Sequence, residues 1–193
     1  TSEVVKSISR QLFLEDRIEV HKTIRHCGEV VNTIESLRGI DDDDIVCRLD
    51  GGDWLTDLDA LAYLYYFYNK EDPAAMWTAH RWDFSSKNIS AYLPDDADVY
   101  QHPWVSSHMK TFRAKYFRRI SDENFRDANG DYITIACDQA IYLPILHVAK
   151  MSEKKRLFMD LCCYHYSINL SDPELFTCDR SIAQSNMAKY ITV

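Results

Sequence analysis

Two aspartates flank two glycines in the run Asp50, Gly51, Gly52, Asp53, which follows directly on the apolar stretch Ile45, Val46, Cys47, Arg48, Leu49. Two carboxylates so closely spaced suit a hard divalent cation, which keeps several waters and also grips phosphate oxygens. Gly51 and Gly52 would let the backbone approach a bulky ligand and adopt positive φ. An ordinary turn accounts for the same four residues, since Asp and Gly are common in turns that bind nothing. A third carboxylate, Asp138, sits in the run 135–144 at or near the start of an expected helix carrying Ile141, Ile145, Leu146 and Val148. There it could cap free backbone N–H groups, or act as a general base that takes a proton from an acceptor hydroxyl.

These groups need elements to hold them. Residues 45–49 read as a buried strand, which places Asp50 where ligands of open α/β sheets sit, just beyond the carboxyl end of a strand. Residues 57–69 read as a helix, with Thr56 or Asp57 as its N-cap and Leu58, Leu61, Ala62, Tyr65 and Tyr66 on one face. Upstream, residues 3–13 predict a helix with Val4, Val5, Ile8 and Leu12 inward. Residues 17–22 alternate like a strand, and residues 28–37 predict a second helix. That rhythm points to an α/β fold with a mostly parallel sheet flanked by helices. Further on, residues 75–82 read as a strand and residues 94–103 as an exposed loop. Residues 108–119 read as a basic amphipathic helix with Met109, Phe112, Tyr116 and Phe117 inward. Its cations Lys110, Arg113, Lys115, Arg118 and Arg119 are either a solvated face, the favoured reading, or phosphate contacts. The four acids 41–44 lack the ligand spacing of a calcium loop and read as a solvated loop.

Composition sets outer bounds. A chain of 193 residues, 46% hydrophobic, can bury one sizeable core, so one domain over residues 1–193 is expected. A net charge of -8 argues against a nucleic-acid partner, whose binding rests on clustered Lys and Arg. The apolar runs fall well short of the roughly 20 residues that span a bilayer and no signal peptide opens the chain, so a cytoplasmic protein is expected. Cys27, Cys47, Cys137, Cys162, Cys163 and Cys178 show no Cys-x-x-Cys spacing and read as small buried apolar residues.

Three stretches together, residues 49–55, 104–113 and 137–144, resemble inverting glycosyltransferases of the GT-A (Rossmann-like) fold, family-2-like, over about residues 17–191. Residues 164–169 more loosely resemble the Tyr-x-Tyr-Asn segment that follows the base-bearing helix in some members. A domain of a large DNA virus's capsid-glycan glycosyltransferase is one identity this resemblance allows, which would put the protein in the host cytoplasm. The resemblance implies a metal-dependent transfer of sugar from a nucleotide-sugar donor, with a UDP-sugar favoured, to a glycan or other hydroxyl acceptor. It implies Asp50 and Asp53 at the metal, which would be Mn²⁺ or Mg²⁺, with Asp50, Gly51, Gly52 and His108 at the donor and Asp138 as catalytic base. Trp54, Trp104, His102 and His108 are candidate walls for a sugar. Two features depart from the family. Gly52 stands at the middle acidic position of the usual turn, and the opening strand, helix and strand that read the nucleotide base are not found in the sequence. A nucleotidyltransferase, or a nucleotide-sugar or carbohydrate-binding module without turnover, are the rival readings.

Overall fold

The computed structural model describes residues 2–13, 16–22, 27–83 and 88–167. Its strands are β1 (Ile45–Cys47), β2 (Trp54–Leu55), β3 (Ala75–Trp82), β4 (Lys110–Arg113) and β5 (Arg156–Tyr166). They form one sheet in the order β1-β4-β3-β5-β2. The helices are α1 (Ser2–Gln11), α2 (Glu29–Ser36), α3 (Ala60–Glu71), the single turn α4 (Ala114–Phe117) and α5 (Cys137–Met151). None of the described helices is long and apolar enough to cross a membrane.

β3 lies at the centre, hydrogen-bonded on both edges and covered on both faces, and its first six residues are all buried. That is why its sequence is mostly apolar rather than alternating, and why the two polar residues buried with it, Thr78 and His80, are both hydrogen-bonded. On one face Trp77 and Phe112 pack with Ile141, Tyr142, Ile145 and Leu146 of α5 and Val30 of α2. On the other, Met76, Met109 and Met159 pack with Ala60, Leu64 and Tyr68 of α3. Each of the Val, Leu, Ile, Met and Phe side chains among these contributes about 1.5–3 kcal/mol when fully buried. Two hydroxyls crossing this core are paired: that of Tyr142 donates to the Met76 carbonyl at 2.9 Å, and that of Tyr68 meets Thr111 at 3.0 Å.

The α/β class with helices flanking the sheet is as the sequence predicts, but the sheet is mixed rather than mostly parallel. Among the described strands only β3 and β5 run parallel, while β4 is antiparallel to both β1 and β3, and β2 returns antiparallel onto β5. Along β3 the register of β5 shifts at Thr78/Ala79 and again at Ala79/His80. These bulges bring Tyr164, His165 and Tyr166 opposite His80, Arg81 and Trp82.

β3, α2 and α5 fall where the sequence places them, and several other expectations are corrected. Residues 17–22 form no strand. Residues 108–119 are not one helix: 110–113 are strand β4, held between β1 and β3, and only 114–117 coil. α3 starts at Ala60 and turns the other way, burying Ala60, Leu64 and Tyr68 while Leu58, Leu61, Tyr65 and Tyr66 face outward. Likewise Val4 and Ile8 of α1, and Leu12 just after it, are exposed. Cys47 and Cys162 are exposed, against the expectation of burial, whereas Cys137 and Cys163 are buried; Cys178 lies outside the described residues. The acidic run 41–44 is an exposed loop with a local task. Its Asp44 and Asp42 carbonyls accept the N–H groups of Ala114 and Lys115, and Asp43 and Asp42 pair with Lys115 and Arg118. Most of the basic run is thus spent on neighbours: Arg113 pairs with Asp72 and Arg119 donates to Ser152.

Candidate active site

The turn after β1 is closed by the Asp53 N–H donating to the Asp50 carbonyl at 3.0 Å. Tyr164 of β5 then clamps it from both sides: its hydroxyl accepts the Asp50 N–H at 3.2 Å and donates to Asp53 Oδ2 at 2.5 Å. The Ser167 N–H donates to Asp53 Oδ1 at 2.8 Å. Asp53 is therefore a fixed carboxylate. Gly51 and Gly52 do not take positive φ, which corrects that expectation. A Cβ on either would meet nothing within 4 Å, so the turn is open on that side, as close approach by a large ligand requires.

Asp138 arrives from the other direction, in the first turn of α5. The N-cap position is Ala136, in the left-handed region at φ 58°, and no side chain caps the helix. Asp138 instead points to cations: its Oδ1 is 2.7 Å from Lys110 Nζ and 3.5 Å from Arg48 Nη1. Arg48 also pairs with Glu29 at the start of α2. Burial pushes the Asp138 carboxyl up, but the charges of Lys110 and Arg48 outweigh it and hold the group below the ordinary carboxylate range. Asp138 is ionised at neutral pH, as a proton acceptor must be.

Asp50 behaves oppositely. Although its residue surface is open, crowding of the carboxyl by protein atoms and the nearby Asp138 raise it above the ordinary range, against the pull of Lys110 and Arg48. Around this point the carboxylates Glu29, Asp50, Asp53 and Asp138 outnumber the cations Arg48 and Lys110 by two. Ligand atoms of Asp50, Asp53 and His108 lie within 4.8 Å of one another. A surplus of two negative charges on hard oxygen donors fits one divalent cation of the Mn²⁺ or Mg²⁺ type.

His108, just before β4, is buried, and its ring stacks on Tyr164 with centroids 4.7 Å apart and an interplanar angle of 15°. Burial and the Lys110 charge push its pKa down to about 3, so the imidazole is neutral. Of the other wall candidates, Trp104 packs on the larger core cluster and the His102 ring is engaged by the Pro103 carbonyl at 2.8 Å. Trp54 stacks on His165 at 3.8 Å, and that ring is locked by Asp83 at 2.6 Å and Arg81 at 3.0 Å. His165 alternates with Tyr164 and Tyr166 along β5, so Trp54 leaves the turn for the opposite face of the sheet from His108.

The structure thus brings together Asp50, Asp53, His108 and Asp138, all singled out in the sequence, and adds Glu29, Arg48 and Lys110, which were not assigned to the site. Arg48 carried a usable signal, being a cation embedded in the apolar strand directly before Asp50. Lys110 carried little, because a lysine among five cations reads as solvated until its strand partners are known.

No protein-family model matches the sequence, and no curated protein does. Solved structures do match in fold. TarS residues 1–349 from S. aureus, a glycosyltransferase, in complex with UDP-GlcNAc superposes with a TM-score of 0.54 at 10% identity, covering 92% of this chain and 49% of that one. A second structure of S. aureus TarS 1–349 gives a TM-score of 0.50 at 12% identity, covering 86% and 48%. The chain therefore spans about half the length of the solved structures it matches, and what they have in common with it is a GT-A-like, Rossmann-type glycosyltransferase fold.

Proposed function

We propose that this chain carries the catalytic centre of a metal-dependent glycosyltransferase that moves a sugar from a nucleotide-sugar donor, a UDP-sugar first, to an acceptor hydroxyl with inversion. The observation that carries the reading is the convergence of the Asp50/Asp53 turn with Asp138 about the Lys110–Arg48 pair, on a fold of glycosyltransferase type. Asp50 and Asp53 would hold Mn²⁺ or Mg²⁺. Bound there, the cation supplies charge neutralisation for the departing nucleoside diphosphate. Asp138 accepts the proton of the acceptor hydroxyl as its oxygen attacks the anomeric carbon in line with the leaving diphosphate. One displacement with no protein nucleophile inverts that carbon. Lys110 and Arg48 keep Asp138 ionised and aimed, and Tyr164 keeps Asp53 in place.

TarS was crystallised with UDP-GlcNAc, which makes that compound the first donor to try. Gly52 supports a second reading, a nucleotide-sugar-binding module without turnover, because it leaves the turn one carboxylate short. Incubation with a panel of nucleotide sugars, Mn²⁺ and simple glycoside acceptors, following release of nucleoside diphosphate, separates the two. Release that depends on acceptor and falls in Asp138→Asn supports transfer; tight donor binding with no release supports the module.

A further inference from the structure

A ring nitrogen of His108 lies within 4.8 Å of carboxylate oxygens of Asp50 and Asp53, and the same ring meets a buried cation. Its Nδ1 lies 3.2 Å from Lys110 Nζ, an ammonium that has hydrogens to give and no lone pair to offer. Nδ1 must therefore accept, and in a neutral imidazole the proton then sits on Nε2. The ring is not free to rearrange: one face is stacked on Tyr164 and His80 meets it edge-on at 5.6 Å and 85°. Lys110 is itself 2% exposed and tied to Asp138 at 2.7 Å. A histidine that ligates a metal ordinarily donates its second ring N–H to a carboxylate or carbonyl, which leaves a lone pair for the ion. Here the second nitrogen faces a cation, the reverse arrangement, and a protonated Nε2 has no lone pair for a metal. What it can do is donate to an anionic oxygen.

We propose that His108, oriented by Lys110, is a hydrogen-bond donor to the anionic oxygens of a bound nucleoside diphosphate and not a ligand of the cation held by Asp50 and Asp53. This rests on the nucleotide-sugar reading above. Lys110 is then a positioning residue that selects the tautomer of His108 as well as orienting Asp138.

Three readings on the full chain test it. In wild-type protein labelled with ¹⁵N-histidine, long-range ¹H–¹⁵N correlation should show the Nε2–H tautomer of His108, unchanged by Mg²⁺ alone and shifted when UDP is added with Mg²⁺. His108→Gln retains a donor, and should hold Mn²⁺ and UDP within about threefold of wild type. His108→Asp supplies a ligand oxygen but no donor, and should lose at least about tenfold in UDP affinity while still binding Mn²⁺. A tenfold or greater loss of Mn²⁺ affinity in His108→Gln, or an Nδ1–H tautomer in the wild type, overturns the proposal while leaving the nucleotide-sugar reading intact. No UDP binding by the wild type with either metal overturns both together.

Discussion

Lys110 and Asp138 form a 2.7 Å ion pair that ties strand β4 to the first turn of α5, with the lysine almost wholly buried. Removing the acid leaves a buried ammonium without its 2.7 Å partner. Read as a helix cap, Asp138→Asn would be nearly neutral for stability, because Asn caps about as well as Asp. No capping bond is made, so the substitution falls on the ion pair instead. Breaking a fully buried pair costs about 3–5 kcal/mol; with the Asp138 side chain 34% exposed, about 2 kcal/mol is expected. For a chain of this size that lowers Tm by about 4–8 °C. Lys110→Met combined with Asp138→Asn should recover most of the loss in a thermal melt. Sugar transfer should stay at least about a hundredfold down in both. A double variant that melts no higher than the single one would remove the pair from the account.

Metal binding tests the clamp on the turn. Tyr164→Phe deletes the hydroxyl that both accepts from Asp50 and donates to Asp53, without touching either carboxylate. Groups that orient a ligand are typically worth 10–100-fold in metal affinity, so Mn²⁺ binding followed by electron paramagnetic resonance should weaken about tenfold. Asp53→Ala should abolish the Mn²⁺-dependent part of UDP binding in titration calorimetry. Equal UDP affinity in EDTA would remove the cation from the mechanism.

How much of this could be read from the chain depends on what decides each element. β3 is legible because the short run Ala75, Met76, Trp77, Thr78 and Ala79 is mostly apolar, which suits a strand buried on both faces. Asp50, Asp53 and Asp138 are legible because short-range spacing places them at a strand end and a helix start. The 108–119 segment misleads, since Met109, Phe112, Tyr116 and Phe117 have helical spacing; its pairing with β1 and β3, contacts distant in sequence, makes the first half a strand. α3 misleads differently. Apolar and aromatic residues run around most of its circumference, so the pattern does not say which face meets the sheet.

That ambiguity gives a paired test. Leu64 is buried against Met76, Met109 and Met159 while Leu61, one turn earlier, is 54% exposed. Leu64→Ala should cost about 2–5 kcal/mol and Leu61→Ala no more than about 0.5 kcal/mol in urea unfolding. The reverse ranking would mean that the outward face of α3 is the packed one.

Two neutral histidines make stability acid-sensitive. Burial, and then the charge of Lys110, lower His80 to about 4 and His108 to about 3, against about 6.5 in the unfolded chain. A depressed folded pKa means the unfolded state takes up protons first as pH falls. The stabilisation from keeping both rings neutral is complete above about pH 6.5 and is lost progressively as pH drops from there through about 4 and about 3. Asp50 works against this, since its raised pKa lets the folded state take up a proton early, whereas the lowered Asp138 adds to it, its contribution being lost as pH falls from the ordinary carboxylate range through its own lower value. With two rings opposing one carboxyl, the urea midpoint should decline steadily from pH 7 to pH 4.5. His80→Gln removes one of the two and should leave roughly half the slope over that interval, with little change in Mn²⁺ affinity at pH 7. A midpoint that does not move between pH 7 and pH 4.5 in the wild type would show that these rings are protonated, or solvated, in the fold.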